Sequence, residues 1–202
     1  MPGPRSVEHL KQCFARLPGI GPKTAERLSY FLLRADQALA FELADAIRTA
    51  RASTLVCSVC FNLDEVDPCS ICADPRRDHA MVLVVEDPRD VAAFDATGYR
   101  GLYHVLQGRV SAIEGIAPED LTAAQLFARA RSGTVREVCL ATNPDLEGEA
   151  TARMLAERLA EQPGLVVSRL ARGIPAGSNI TQVSQSILAD AVEGRRVLRG
   201  DA

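Results

Sequence analysis

Along the first fifty residues apolar positions recur at helical spacing. Val7, Leu10, Phe14 and Leu17 mark one face of a helix over residues 6–17. Pro18-Gly19 stops it, and Pro22 suits the first turn of a second helix over residues 23–34. Ala25, Leu28, Phe31 and Leu32 form that helix's inward face, and a third helix covers residues 38–53. From Ala80 the pattern changes. An unbroken apolar run at 81–86 ends in acids and reads as a buried strand. Helix is expected at 88–97, strand at 103–107, helix at 118–132, strand at 136–142, helix at 146–161, strand at 165–170 and helix at 183–193. Strands alternating with helices predict a mostly parallel α/β sheet joined by right-handed crossovers. The chain shows neither an internal repeat nor a low-complexity stretch.

Composition narrows the function. The 202 residues are 47% hydrophobic, enough for a real core, yet only 4% are aromatic, so base stacking is a poor candidate for the main binding mode. A net charge of −3 argues against a uniformly basic nucleic-acid coat. The distribution is more telling: residues 1–34 carry six bases against two acids, whereas residues 80–150 carry eleven acids against six arginines. One end seeks anions and the middle seeks cations. Cys13 and Cys139 lie in apolar surroundings and are expected to be buried small hydrophobes. The N-terminus has no apolar signal core and no run reaches membrane-span length, which points to the cytoplasm.

Three constellations carry chemistry. Cys57-x₂-Cys60-x₈-Cys69-x₂-Cys72 places four thiolates for tetrahedral coordination, the arrangement of a structural zinc site with no open position for catalysis. A disulfide pair is the competing reading, but nothing in the chain indicates an oxidising compartment. Leu17-Pro18-Gly19-Ile20-Gly21-Pro22-Lys23 is a tight glycine turn feeding a helix N-terminus, where free N–H groups favour an anion. Lys23 and Arg27, four residues apart, share the helix face beside it and suit a phosphate read without regard to base sequence. An ordinary helix–helix turn with two solvated bases is the alternative. Finally, Glu86 ends one strand, and Asp145 and Glu147 follow another. In an open parallel sheet such ends share one rim, and three carboxylates without histidine suit Mg²⁺. Acids that merely complement a helix dipole are the alternative there. His104, in a strand, is expected to be packed rather than catalytic.

The glycine turn resembles the helix-hairpin-helix of DNA-repair proteins, and a strand-end Glu followed by Asp-x-Glu resembles the Toprim domain. Taken in order with Gly101-Leu102-Tyr103-His104-Val105-Leu106, the stretch from Asn143 to Ala152 and Arg169-Leu170-Ala171-Arg172-Gly173-Ile174-Pro175, the chain resembles the bacterial RecR recombination-mediator family over nearly its full length. That resemblance implies a helix-hairpin-helix over 1–53, a four-cysteine zinc knuckle over 54–78, a Toprim domain over 79–165 and a C-terminal strand and helix arm over 166–202. It implies DNA contacts at Gly19, Gly21, Lys23 and Arg27, one structural Zn²⁺ on Cys57, Cys60, Cys69 and Cys72, and an acidic surface at Glu86, Asp145 and Glu147 for RecO or for Mg²⁺. It further implies a ring-like tetramer formed by exchange of terminal regions, sequence-independent binding of single- and double-stranded DNA, and action with RecO and RecF to load RecA. A cytoplasmic, nucleoid-associated and non-catalytic scaffold follows. The rival is a Mg²⁺-dependent nuclease or primase, for which Tyr30, Tyr99 and Tyr103 offer no recognisable nucleophile context and the chain is short. Two departures stand out: Ser178-Asn179-Ile180-Thr181-Gln182-Val183 replaces the family's Gly-Asp-Leu-Glu-Tyr, and Ser111-Ala112 replaces Ser-Pro.

Overall fold

The computed structural model describes residues 3–195. Met1, Pro2 and residues 196–202, the end of the expected C-terminal arm, lie outside the described residues. The chain divides into two compact units, Met1–Thr54 and Leu55–Ala202.

The first unit is three helices: α1 Arg5–Ala15, α2 Pro22–Arg34 and α3 Gln37–Ser53. Pro22 takes the first position of α2, where its missing N–H costs nothing, and Asp36 caps α3 by accepting from the Ala38 N–H at 3.0 Å. Val7, Ala25 and Ser29 are buried at the α1–α2 contact, and Ser29 Oγ is satisfied by Ala25 O at 2.8 Å. The expected inward face of α2 is only partly inward. Phe31 is 58% exposed, and α3 buries nothing while presenting Leu39, Phe41, Leu43 and Ile47. Cys13, expected in the core, is exposed, with His9 Nε2 3.8 Å from its sulfur. The reason is size: three helices supply too few walls to enclose the apolar surface they carry.

The second unit is built on a four-stranded, wholly parallel sheet of β3 Asp78–Val85, β4 Gly101–Val105, β5 Glu137–Leu140 and β6 Val166–Arg169, in the order β4-β3-β5-β6. The apolar run was legible because β3 is central and covered on both faces: Val82, Leu83, Val84 and Val85 are all buried. On one face Val82, Val84, Val138 and Leu140 pack with Leu126 of α6 (Ala123–Ala130) and Leu155 and Leu159 of α7 (Leu146–Leu159). On the other, Leu83, Val85, Tyr103 and Val105 pack with Val91 of α5 (Pro88–Asp95), and Phe61 and, from the short helix α4 (Ser70–Ala73), Ile71 lie against them. A helix α8, Gln185–Glu193, follows β6.

One expected helix is divided. Residues 118–132 form a 3₁₀ turn at Pro118–Asp120 and then α6. Between them Thr122 ties back to the end of β4: its N–H donates to Leu106 O at 3.1 Å and its hydroxyl to Val105 O at 2.7 Å. Those bonds hold the backbone out of the helical register. Within residues 178–183, where the family's acidic pair is absent, Ile180–Gln182 form an exposed 3₁₀ turn capped by Asn179, and Val183 is half-buried.

Candidate nucleic-acid interface, zinc centre and acidic rim

The turn between α1 and α2 needs one glycine for conformation. Gly19 sits at φ +77°, a region that favours glycine, whereas Gly21 is extended at φ −78° and ψ 169°. A Cβ at Gly21 would meet nothing within 4 Å, so neither the backbone nor the packing requires glycine there. The α2 N-terminus carries no side-chain cap, so its first N–H groups face solvent. Lys23 and Arg27 are both exposed, and neither forms an ion pair among the described residues. Lys11 is different. It is held by Glu8 at 3.2 Å and Glu26 at 3.0 Å and lies over the Tyr30 ring, and its bonds to Glu26 and Glu8 raise its pKa. The structure therefore separates two cations available to a ligand from one already engaged.

Cys57, Cys60 and Cys69 are buried and Cys72 half-buried, with all four sulfurs within 4.8 Å of one another. A tetrahedron with Zn–S bonds of about 2.3 Å sets sulfurs about 3.8 Å apart, and the Cys60–Cys69 pair is already at 3.5 Å. Cys57 Sγ accepts from the Val59 N–H at 3.4 Å and the Cys69 N–H at 3.3 Å, and Cys69 Sγ from the Cys72 N–H at 3.4 Å. Such N–H···S bonds stabilise thiolate ligands. The donor set fits zinc.

The hairpin that carries Cys57 and Cys60, β1 Leu55–Val56 paired antiparallel with β2 Leu63–Asp64, is bonded to the open edge of β4, and Cys69 and Cys72 follow at the short helix α4. The Val105 N–H donates to Cys60 O at 2.8 Å, and Gln107 Nε2 donates to Phe61 O. Phe61 adopts φ +64°, unusual for a bulky side chain, and its ring packs edge-on against His104 at 5.3 Å. An unpaired strand edge invites aggregation, and here it is occupied jointly by the zinc hairpin at the Val105 N–H and by side chains of Arg77, Arg129 and Thr122 on the carbonyls of Gly101, Tyr103 and Val105. Beside the hairpin lies Arg129, whose Nη1 donates to Tyr103 O at 2.7 Å. Burial lowers its pKa, while the surrounding negative charge of Cys72, Cys60, Cys57 and Cys69 opposes that effect. Among the described residues Arg129 pairs with no carboxylate, and the nearby cysteine sulfurs are the groups that favour its charge.

The three expected acids do converge. Glu86, 6% exposed, accepts from the Asn143 N–H at 2.8 Å and from Asn143 Nδ2 at 2.7 Å. Asp145 caps α7 through the Gly148 N–H at 2.8 Å, so it serves the helix terminus as well as the rim. Glu147 accepts from the Ser111 hydroxyl. At their centre is Arg109, with Nη1 2.7 Å from Asp145 Oδ2 and 3.7 Å from Glu86 Oε2, and Nε 2.8 Å from Glu147 Oε2. Glu149 turns away to Arg169 at 2.6 Å and to Arg172. Reading the sequence missed Arg109, Arg129 and Asn143. Arg109 was findable, because it follows β4 at the same carboxyl-end rim as the acids.

Comparison with known proteins gives three matching family models: RecR, helix-hairpin-helix at residues 7–51; RecR, four-cysteine zinc finger domain at 56–74; and Toprim domain at 80–171. Recombination protein RecR of Desulforudis audaxviator is 51% identical over 95% of this chain and 97% of its own length. That of Carboxydothermus hydrogenoformans is 48% identical over 98% and 97%, and that of Chloroflexus aggregans 51% over 95% and 94%. Identity at this level, end to end and across all three regions, means that the chain belongs to the RecR family of recombination proteins.

Proposed function

We propose that this protein is a non-catalytic DNA-binding scaffold of recombinational repair, a ring-like clamp of four copies that works with RecO and RecF to promote RecA loading at gapped or single-stranded DNA in the cytoplasm. The observation that carries the reading is the α1–α2 turn. Gly19 bends it, and Lys23 and Arg27, exposed and forming no ion pair among the described residues, stand beside an uncapped helix N-terminus. Phosphate fits there without reference to base identity. The functional regions proposed are 1–53 for DNA, 54–78 for zinc, 79–165 for the Toprim domain and 166–202 for the arm, whose first strand β6 completes the Toprim sheet beside β5. The single Zn²⁺ per chain is structural, since four thiolates saturate it and it braces a strand edge.

Assembly through the N-terminal unit is supported by the groove lined by Phe14, Leu28, Phe31, Leu32, Leu39 and Leu43, about 400 Å³ in volume, which one chain leaves open. For RecO, Asp145 is the most exposed of the three acids, and Ile113 and Leu146, at 94% and 87% exposure, offer apolar contacts beside it. Among the described residues no helix is long and apolar enough to cross a membrane.

Gel-shift titration at low salt tests the reading. The Lys23→Ala/Arg27→Ala protein should lose binding to single- and double-stranded DNA while keeping its circular dichroism spectrum and solution mass. Undiminished affinity would remove the hairpin from the account. Mg²⁺- or Mn²⁺-dependent cleavage or primer synthesis, lost in Glu86→Ala, would replace the scaffold with an enzyme.

A further inference from the structure

The acidic rim has six carboxylate oxygens: five accept a hydrogen bond from the protein and the sixth is ion-paired. Asn143 N–H and Nδ2 take the two of Glu86. The Gly148 N–H and Arg109 Nη1 take the two of Asp145, the Ser111 hydroxyl takes one of Glu147, and Arg109 Nε lies 2.8 Å from the other as an ion-pair contact. Mg²⁺ demands an octahedron of oxygens at about 2.0–2.1 Å and gives up its waters reluctantly. A guanidinium bridging Asp145 and Glu147 and lying 3.7 Å from Glu86 occupies the space such an ion would need. The donor set therefore does not fit Mg²⁺ while Arg109 is in place.

Arg109 is also held in position from both sides. The Gly108 N–H donates to Glu86 O at 2.9 Å, and the Val110 N–H to Thr151 Oγ1 at 3.0 Å. Gln107, at φ +64°, is fixed by its side-chain bond to Phe61 O in the zinc hairpin. The loop thus delivers the guanidinium to the carboxyl ends of β3 and β5. Burial works against its charge, but Asp145, Glu147 and Glu86 more than compensate, and its pKa is raised.

We propose that Arg109 is a tethered replacement for the divalent cation of the Toprim rim: in this chain the guanidinium neutralises Glu86, Asp145 and Glu147, and the rim takes no metal. A competing ion must displace a group held by the chain itself, which is present at high effective concentration. This goes beyond the scaffold reading and is measured without DNA, so either can fail alone.

The test is Mn²⁺ binding to the full-length, zinc-loaded protein, read from the free-ion electron paramagnetic resonance signal. The wild type is expected to show no saturable site, and Arg109→Lys, which keeps a cation in place, should match it. Arg109→Gln, which keeps most of the side-chain volume and its hydrogen bonding, should gain a site at least about tenfold tighter than any in the wild type. That site should be lost again in Arg109→Gln/Glu86→Gln. Saturable Mn²⁺ binding by the wild type as tight as that of Arg109→Gln overturns the proposal. So does the absence of a gained site in an Arg109→Gln protein with an unchanged circular dichroism spectrum.

Discussion

Gly148 sets two physical effects against each other. It lies in α7, where alanine is ordinarily preferred by about 1 kcal/mol. On helix propensity alone, Gly148→Ala should stabilise the protein. The geometry opposes this: a Cβ there would stand 2.2 Å from Asn143 O, 2.9 Å from Glu86 Oε1 and 3.0 Å from the Asn143 carbonyl carbon. The first and last are backbone atoms, so no rotamer change relieves the contact. Overpacking of this kind costs about 1–3 kcal/mol. Moving Asn143 also strains the two hydrogen bonds it gives Glu86, and losing one to a charged group costs about 1.5–3 kcal/mol. After the propensity gain is subtracted, Gly148→Ala should destabilise the sheet unit by about 1.5–5 kcal/mol. Urea unfolding followed by circular dichroism measures this as a lower midpoint at unchanged slope. A midpoint equal to or above that of the wild type would show that the close approach of α7 to the 143 carbonyl is not a constraint.

Chelation of zinc should unravel residues 57–72 and free the Val105 end of the β4 edge, so the protein should aggregate at concentrations where the loaded form is clear by light scattering. Arg129→Met should weaken zinc binding about 10–100-fold in competition with a chromophoric chelator, because the thiolates lose a buried counter-charge; unchanged affinity would show that the arginine serves only Tyr103 O. His104 is pushed down to about 4 by burial, with Thr122 opposing and Arg129 reinforcing the shift. Its Nε2 donates to Thr122 O at 3.0 Å, while Nδ1 has no partner among the described residues. The unfolded chain therefore takes up this proton first as pH falls, so stability should decline between pH 6.5 and about 4, by up to about 3 kcal/mol. His104→Gln should flatten that part of the urea-stability profile.

The sheet was legible because each strand is short, apolar and followed by a helical period, and because β3 is buried on both faces. The zinc ligands were legible because their spacing is local. The acids were placed at one rim by the topology of parallel strands, without any contact being visible in sequence. What stayed hidden were partners across long separations: Arg109 lies 36 residues from Asp145, and Asn143 lies 57 from Glu86. Both sit in loops that carry no periodic signal. The break before α6 was hidden for the same reason, since Thr122 is drawn out by bonds to Val105 and Leu106 on a separate element. The exposure of Phe31 and Cys13 was unreadable for another reason. Periodicity marks an apolar face but not whether one chain has enough mass to cover it.

The grip on DNA is tested most directly by the salt dependence of binding, measured by fluorescence anisotropy on a labelled duplex. Each phosphate neutralised contributes about 0.9 to the slope of log K against log salt. With Lys23 and Arg27 both engaged, each hairpin touching the duplex contributes about 2 to that slope. Lys23→Ala and Arg27→Ala should each lower the slope by about 0.9 for every subunit engaged, with the double variant adding the two losses. Slopes and affinities equal to those of the wild type in all three variants would mean that DNA is held elsewhere, and the central claim would fall.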